Sequence, residues 1–294
     1  FLRADKVHDK ADGTGWVGFI VDTEDKFSHP DVAPVNVPAY NRRYTDEPTA
    51  ASLGFEDVAT AVESEGLHGL HVADTVRQML PGAVQGALKA LRNDGRGSSI
   101  WVQDAILDAV DMKLLPEHAG HRRFIVLCLG SNALSTRIRD AVKYAAENDV
   151  LVFAAAGNDG GAVDFPGAHE LHCITAGALD RDGRVPDWSS RGPEVDLVAP
   201  GVGIVAAYRD GYAKLSGTSM ATPHLAGCGV LAATLQKLSS VYDVEHYMQQ
   251  QAVDLGPVGH EDDTGWGYPD VSVYVPEDWP EPGPEPEPRA QSPE

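Results

Sequence analysis

The sequence has few cysteines, no long apolar run and no signal peptide. Its three cysteines, Cys128, Cys173 and Cys228, are odd in number and lie in apolar surroundings, which argues against a disulfide framework and predicts buried thiols. No segment approaches the ~18–20 consecutive apolar residues that a membrane-spanning helix needs, so we expect a soluble protein. The chain begins at Phe1, which indicates a processed form or a piece of a longer chain.

Positive charge is also scarce. Lysine and arginine together number 23 against 44 aspartates and glutamates, and the formal net charge is −21. This field repels phosphate backbones and anionic lipid surfaces, so we expect neither a nucleic-acid nor a membrane partner. Only 8 of the 23 basic residues are lysine. A carboxylate-rich, lysine-poor surface is typical of proteins that stay soluble in concentrated salt, and a halophilic source is our hypothesis.

Apolar strand-like runs alternate with helical stretches along the chain. The predicted strands are residues 16–21, 100–102, 124–129, 150–155 and 173–176. Between the third and the fourth, residues 137–147 place an apolar face every three to four residues, which predicts a crossover helix. The alternation predicts an α/β fold, a three-layer sandwich with a mostly parallel central sheet. Active sites in such folds collect at the carboxyl ends of the strands.

The composition changes near the end of the chain. Residues 276–294 read PEDWPEPGPEPEPRAQSPE, and alternating proline and glutamate can bury almost nothing and favour an extended conformation. The length of 294 residues suits one large α/β unit. We therefore predict one folded domain over residues 1–275, followed by a disordered tail or linker over 276–294.

An acid, a base and a hydroxyl are each predicted at the end of an element. Ser219 follows a strand-like run and precedes a helical one, so it lies at a helix N-terminus, where negative charge on a nucleophile is favoured. His68 opens another predicted helix, and Asp22 ends a buried strand. Taken alone, Ser219 or Thr218 would be an ordinary N-cap. The coincidence of the three element ends favours a catalytic assembly instead.

Four segments resemble the subtilase family of serine peptidases, and the resemblance runs from about residue 15 to 273. They are VDTEDKFSHPDV around Asp22, HGLHVAD around His68, AAAGNDG around Asn158 and SGTSMATPHLAG around Ser219. The resemblance implies a subtilisin-like fold and peptide-bond hydrolysis through an acyl-enzyme. It makes Ser219 the nucleophile, His68 the general base, Asp22 the carboxylate that orients it and Asn158 the side-chain donor to the oxyanion.

The resemblance also implies how a substrate binds. Cys128, Leu129 and Gly130 resemble the strand that pairs with one side of the peptide, and Gly95, Arg96 and Gly97 resemble the segment that pairs with the other. A polypeptide would thus bind by strand addition.

The resemblance further implies that catalysis would need no cofactor. The family also implies a secreted or extracytoplasmic location, and a propeptide or further domain beyond the chain ends is left open.

The segment 163–167 resembles the base of the pocket for the side chain before the cut, and Asn158 and Asp159 resemble its rim. Many relatives have a small neutral residue at the base, where this chain has Asp164. A carboxylate in that position favours a cation, so cleavage after Arg or Lys is expected, with Arg preferred for its planar fork. The alternative is that Asp164 points to solvent.

Three residues depart from the family pattern: Glu24, Leu70 and Asp74 stand where glycine, threonine and glycine are usual. Asp74 lies on the histidine helix, so its carboxylate must be solvated or paired. The connection 76–87 is shorter than in calcium-binding relatives, and Asp31 alone is a poor cage for an ion that takes six to eight oxygens. We predict no metal ligands and leave a structural calcium open.

Other functions are less well supported by the residues. Cys128 with His68 as base would make a cysteine protease, but Cys128 lies in the apolar run IVLCLG. His68 and His71 have the spacing of a metal pair, but the glutamate of a zincin motif is missing. No G-x-S-x-G elbow surrounds Ser219, which argues against a lipase-like hydrolase. The main alternative is a peptide-binding module that kept the subtilase fold and lost catalysis.

Overall fold

The computed structural model describes residues 2–24, 27–45, 58–59, 67–131, 133–168 and 172–275. The predicted tail, 276–294, lies outside the described residues. For the pair 58–59 only the backbone is described.

The strands of the described chain are short and mostly buried. In chain order they are β1 Trp16–Asp22, β2 Arg42–Arg43, β3 Val58–Ala59, β4 Val84–Lys89, β5 Arg96–Gly97, β6 Arg122–Leu127, β7 Leu151–Ala155, β8 Ile174–Leu179, β9 Leu197–Pro200, β10 Ile204–Tyr208, β11 Gly211–Leu215, β12 Ala252–Val253 and β13 Tyr268–Pro269.

Seven of these strands form one sheet in the order β2-β4-β1-β6-β7-β8-β9, and every neighbouring pair is parallel. The remaining strands make three antiparallel pairs, β10 with β11, β12 with β13 and β3 with β5. All seven residues of β1 are buried, as expected for a strand covered on both faces. The predicted parallel sheet is confirmed.

The helices are α1 His68–Met79, α2 Ser99–Asp111, α3 Thr136–Glu147, α4 Thr218–Leu235 and α5 Val241–Gln250. Serine side chains cap α2, α3 and α5: Ser98, Ser135 and Ser240 accept hydrogen bonds from first-turn N–H groups. The helices α1 and α4 begin differently, since their N-cap residues are Leu67 and Gly217, which offer no side-chain acceptor.

Two apolar cores, one on each face of the sheet, define three layers. Ile20 of β1 points into a core shared with α1, α4 and α5, whereas its neighbours Phe19 and Val21 point into a core shared with α2 and α3. This alternation follows from the two-residue period of a strand. Helix α4 is buried along nearly its whole length, which explains why it is apolar on all sides.

One predicted strand is wrong. Residues 100–102 lie in the first turn of α2, where the Ser98 hydroxyl accepts the N–H of Ile100. A three-residue apolar run cannot by itself distinguish a strand from a buried helix.

Strand β4 was not predicted from the sequence, because Gln85 and Lys89 interrupt its apolar pattern. Both are buried, and their amide and ammonium groups donate to backbone carbonyls, such as that of Ala73 for Gln85.

The cysteines and the apolar segments agree with the sequence analysis. Cys128, Cys173 and Cys228 are all buried and none of them forms a disulfide, which confirms the prediction of buried thiols. Among the residues that the structure describes, no helix has both the length and the apolar character needed to cross a bilayer.

Candidate active site

Strand β1 and helix α1 bring Asp22 and His68 together. Asp22 is the last residue of β1 and His68 the first of α1, and both side chains are buried. His68 Nδ1 lies 2.8 Å from Oδ2 and 3.0 Å from Oδ1 of Asp22, while the N–H of Thr23 donates to Oδ1 at 2.7 Å. Because an ionised carboxylate only accepts, Nδ1 carries the proton and Nε2 is left as the basic nitrogen.

Ser219 lies in the first turn of α4, after the N-cap residue Gly217. Its hydroxyl donates to the backbone carbonyl of Cys128 at 3.4 Å, and the residue is 4% exposed. The first N–H groups of a helix have no partner within the helix, so negative charge is favoured there. This position suits a hydroxyl that becomes an anion or an acyl carrier.

The side-chain amide of Asn158 is oriented by Thr218. The backbone N–H of Thr218 lies 2.8 Å from Asn158 Oδ1, and the Thr218 hydroxyl lies 3.1 Å from it. Since a backbone N–H can only donate, the atom that faces it is the amide oxygen. The Nδ2 group of Asn158 therefore points away from Thr218 and can serve as a donor. Sequence reasoning missed this role of Thr218.

One of the two predicted peptide-binding segments follows a strand directly, and the other turns into a short strand of its own. Cys128, Leu129 and Gly130 follow β6 directly. Gly95 has a φ of +80° and turns the chain into β5, which contains Arg96 and Gly97 and already pairs antiparallel with β3. Substrate pairing by these six residues stays a prediction.

Asp164 lies between the chain segments that contain Gly130 and Gly157. A methyl group added to Gly157 would be 2.5 Å from Asp164 Oδ2, and one added to Gly130 would be 3.0 Å from it. The carboxylate of Asp164 thus lies in a gap between two chain segments. A residue larger than glycine at position 130 or 157 would close this gap. Burial and the nearby charge of Asp159 raise its pKa above the ordinary value.

Asp159 has a different environment, near the surface. Its Oδ1 accepts the N–H of Gly161 at 2.9 Å and the hydroxyl of Ser190 at 3.0 Å. These hydrogen bonds lower the pKa of Asp159 below its usual value. Asp159 is therefore held in place by its own loop.

The sequence model of the subtilase family matches residues 15–267. The chain belongs to the subtilase family. A thermophilic serine proteinase of Bacillus sp. (strain AK1) is 33% identical over 217 residues, which cover 73% of this chain and 51% of that protein. Halolysin of Haloferax mediterranei is 32% identical over 268 residues, which cover 87% of this chain and 48% of that protein. This subtilase thus spans about half the length of both relatives.

The fold likeness agrees with the family. The solved structure of sphericase superposes with a TM-score of 0.73 at 28% identity, covering 89% of this chain and 93% of that one. This subtilase therefore has a subtilisin-like α/β fold and falls in the enzyme class of subtilisin-like serine hydrolases.

Asp74, one of the departures from the family pattern, is paired in this subtilase. Its buried carboxylate accepts Arg77 Nε at 2.7 Å, Gln78 Nε2 at 3.1 Å and the N–H of Ala207 at 2.8 Å. The last bond ties α1 to β10. The expectation that this carboxylate must be solvated or paired is confirmed, and its role is to anchor the histidine helix.

The structure does not support a metal pair or a cysteine nucleophile. His71 Nε2 lies 3.1 Å from the carbonyl of Ile204 and 3.3 Å from that of Ala213, so this nitrogen donates and is not open to a metal. Across the described residues, no group of three histidines, cysteines or carboxylates could hold an ion. Burial raises the pKa of the Cys128 thiol well above its usual value, which disfavours the thiolate.

Proposed function

We propose that this subtilase is a serine endopeptidase that hydrolyses polypeptides through an acyl-enzyme, with Asp22, His68 and Ser219 as its triad. The observation that carries the proposal is the buried contact of His68 Nδ1 with both carboxylate oxygens of Asp22. A buried imidazole held in this way is fixed in one orientation and one tautomer. Membership of a family of serine peptidases supports the same chemistry.

In the proposed reaction, Ser219 Oγ attacks the scissile carbonyl and its proton passes to His68 Nε2. The negative charge that develops on the carbonyl oxygen is met by Asn158 Nδ2 and by the backbone N–H of Ser219 at the start of α4. The imidazolium then gives its proton to the leaving amine. Water repeats the sequence on the acyl-enzyme, which releases the acid and restores the hydroxyl of Ser219.

The experiment that tests this proposal is labelling with a phosphonate that reacts with activated serines. We expect one adduct per folded molecule, located on Ser219, together with turnover of casein. Ser219→Ala is the matched control and should take no label. An unlabelled but folded protein would instead support the alternative, a peptide-binding module without catalysis.

We further propose that the enzyme cleaves after Arg or Lys. The support is the position of the Asp164 carboxylate between Gly157 and Gly130, about half buried and close to a second carboxylate on Asp159. Two nearby negative groups in a partly desolvated site attract a cation more strongly than a solvated surface pair would. An arginine guanidinium could bind a carboxylate through two parallel hydrogen bonds.

A further inference from the structure

Helix α1, which carries His68, receives its N-terminal caps from another segment. Its own N-cap residue, Leu67, has no polar side chain. The N–H of Gly69 donates instead to Thr23 Oγ1 at 3.3 Å. The N–H of Leu70 faces the carboxyl group of Glu24 and favours its ionised form. Uncapped N–H groups at a helix start cost stability, so Thr23 and the nearby carboxyl group of Glu24 stand where a serine or aspartate cap is usual.

Thr23 and Glu24 follow Asp22 directly, so the capping segment is also the one that holds the carboxylate bound to His68. The Thr23 hydroxyl donates to Glu24 Oε2 at 2.8 Å. A methyl group on Gly69 would overlap both Glu24 Oε2 and the β-carbon of Asp22. The carboxyl group of Glu24 is thus packed directly against the first turn of α1, beside Asp22.

The contacts close a ring of interactions. The chain from Asp22 to Glu24 is covalent, the carboxyl group of Glu24 packs against Gly69 in the first turn of α1, and His68 in that turn binds back to Asp22. A helix start held at two points has less freedom to tilt than one held at a single point. Small tilts of α1 would move the imidazole relative to the hydroxyl that it must deprotonate.

The environment of Glu24 is unlike that of a surface glutamate. Its Oε1 atom is buried and has no hydrogen-bond partner among the described residues. Burial and the adjacent charge of Asp22 raise the pKa of Glu24 well above its usual value. The other charged groups that face this cluster are His68, from α1, and Lys89, whose ammonium donates to the carbonyl of Thr23. A poorly solvated carboxyl group costs stability, and glycine is usual at this position. We therefore expect Glu24 to make an interaction that compensates for this cost.

We propose that Glu24 is a positioning residue: it caps the histidine helix from the segment that carries Asp22, so that imidazole and carboxylate are held as one unit. The proposal rests on the proposed proteolytic function. A positioning role predicts that kcat changes and that substrate affinity does not.

The test compares Glu24→Ala with Glu24→Gln, which keeps a side-chain oxygen that can accept the N–H of Leu70. Glu24→Ala should lower kcat by about tenfold and change KM by less than about twofold. Glu24→Gln should restore kcat to within about threefold of the unmutated enzyme. Rates are normalised to the fraction of molecules that take the serine phosphonate. Glu117→Ala, which removes an exposed charge in a distant turn, should change neither constant.

Two results would overturn the proposal. One is a kcat for Glu24→Ala within twofold of the unmutated enzyme. The other is an equal loss in Glu24→Gln and Glu24→Ala, since that would assign the effect to the charge and not to the cap.

Amide hydrogen exchange at Leu70 separates failure of this proposal from failure of the proposed function. Glu24→Ala should accelerate exchange of that amide by at least about fivefold, as expected for one lost hydrogen bond, and Glu24→Gln should not. This measurement does not require activity. Unchanged exchange in Glu24→Ala would show that the cap is not formed, whether or not the protein cleaves peptides.

Discussion

The thiol of Cys128 donates a hydrogen bond to the backbone carbonyl of Ser219, with 3.2 Å between sulfur and oxygen. In a regular α-helix that carbonyl would accept the N–H of the residue four positions later. Here that residue is Pro223, which lies within α4 and has no N–H. Cys128 therefore supplies the missing donor and fastens the turn that carries Ser219 to the carboxyl end of β6.

The first prediction concerns this contact. Cys128→Ala should lower kcat several-fold and destabilise the protein by about 1–3 kcal/mol, because a buried carbonyl loses its partner. Cys128→Ser keeps a hydrogen-bond donor in the same position and should retain most of the kcat and most of the stability. Active-site titration, kcat and thermal melting of the two variants check this. Equal behaviour of alanine and serine would mean that the hydrogen bond contributes little.

The second prediction concerns the proposed oxyanion donor. Asn158→Ala should lower kcat by about 10²–10³-fold, the range already known for this donor in subtilisin, with KM nearly unchanged. Thr218→Val keeps the N–H bond to Asn158 but loses the hydroxyl bond, so a loss of about fivefold is expected, while Thr218→Ser should be near normal. A rise in KM at constant kcat would contradict the assignment.

The third prediction is the specificity for basic residues. We consider a peptide library that varies only the residue before the cut. The kcat/KM for peptides with Arg there should exceed that for peptides with Leu by at least about tenfold, and Asp164→Ser should remove most of this preference. Asp159→Ser, at the rim, should have a smaller effect. Faster cleavage after Leu or Phe than after Arg by the unmutated enzyme would end the proposal.

The same pocket predicts a pH dependence. The pKa of Asp164 is raised, so protonation as the pH falls should begin at a higher pH than for an ordinary aspartate. The ratio of kcat/KM for Arg over Leu should therefore decline on acidification, while Asp164→Ser should show a flat ratio. Using the ratio cancels the ionisation of the catalytic groups, which affects both substrates equally.

The fourth prediction concerns a carboxyl pair far from the site. Asp196 is buried against Glu245 of α5, and burial raises the pKa of both. A carboxyl group whose folded-state pKa is raised contributes stability at low pH that is lost as the pH rises through that pKa. Glu245→Gln should therefore raise the melting temperature at pH 8 by a few degrees, about 1 kcal/mol, and by less at pH 5. An equal or negative change at both pH values would contradict this, with Glu117→Gln as the control.

The fifth prediction is the response to salt. A net charge of −21 implies repulsion between carboxylates that added ions screen. The melting temperature should therefore rise between dilute buffer and about 2 M NaCl, and by more than for a subtilase of near-neutral charge. A flat or falling melting temperature over that range would remove the halophile hypothesis.

Several parts of the molecule could be predicted from the sequence because they depend on local patterns. The buried strand that ends at Asp22 and the helix that begins at His68 follow from apolar runs and element ends. The crossover helix α3 was predicted to within a residue. The strand β4 was not, because the amide of Gln85 is satisfied by a carbonyl on a helix that no strand pattern can reveal.

The contacts that orient the site were decided only by the tertiary structure. Thr218 binds Asn158 across 60 positions in the sequence, and Cys128 binds Ser219 across 91. Each partner alone has an ordinary local explanation, such as a cap, a turn or a buried thiol. Hydrogen bonds between them form only once the parallel strands bring their carboxyl ends to one edge. The sequence by itself determined which chemical groups are present and at which element ends, and long-range packing decided which of their atoms face one another.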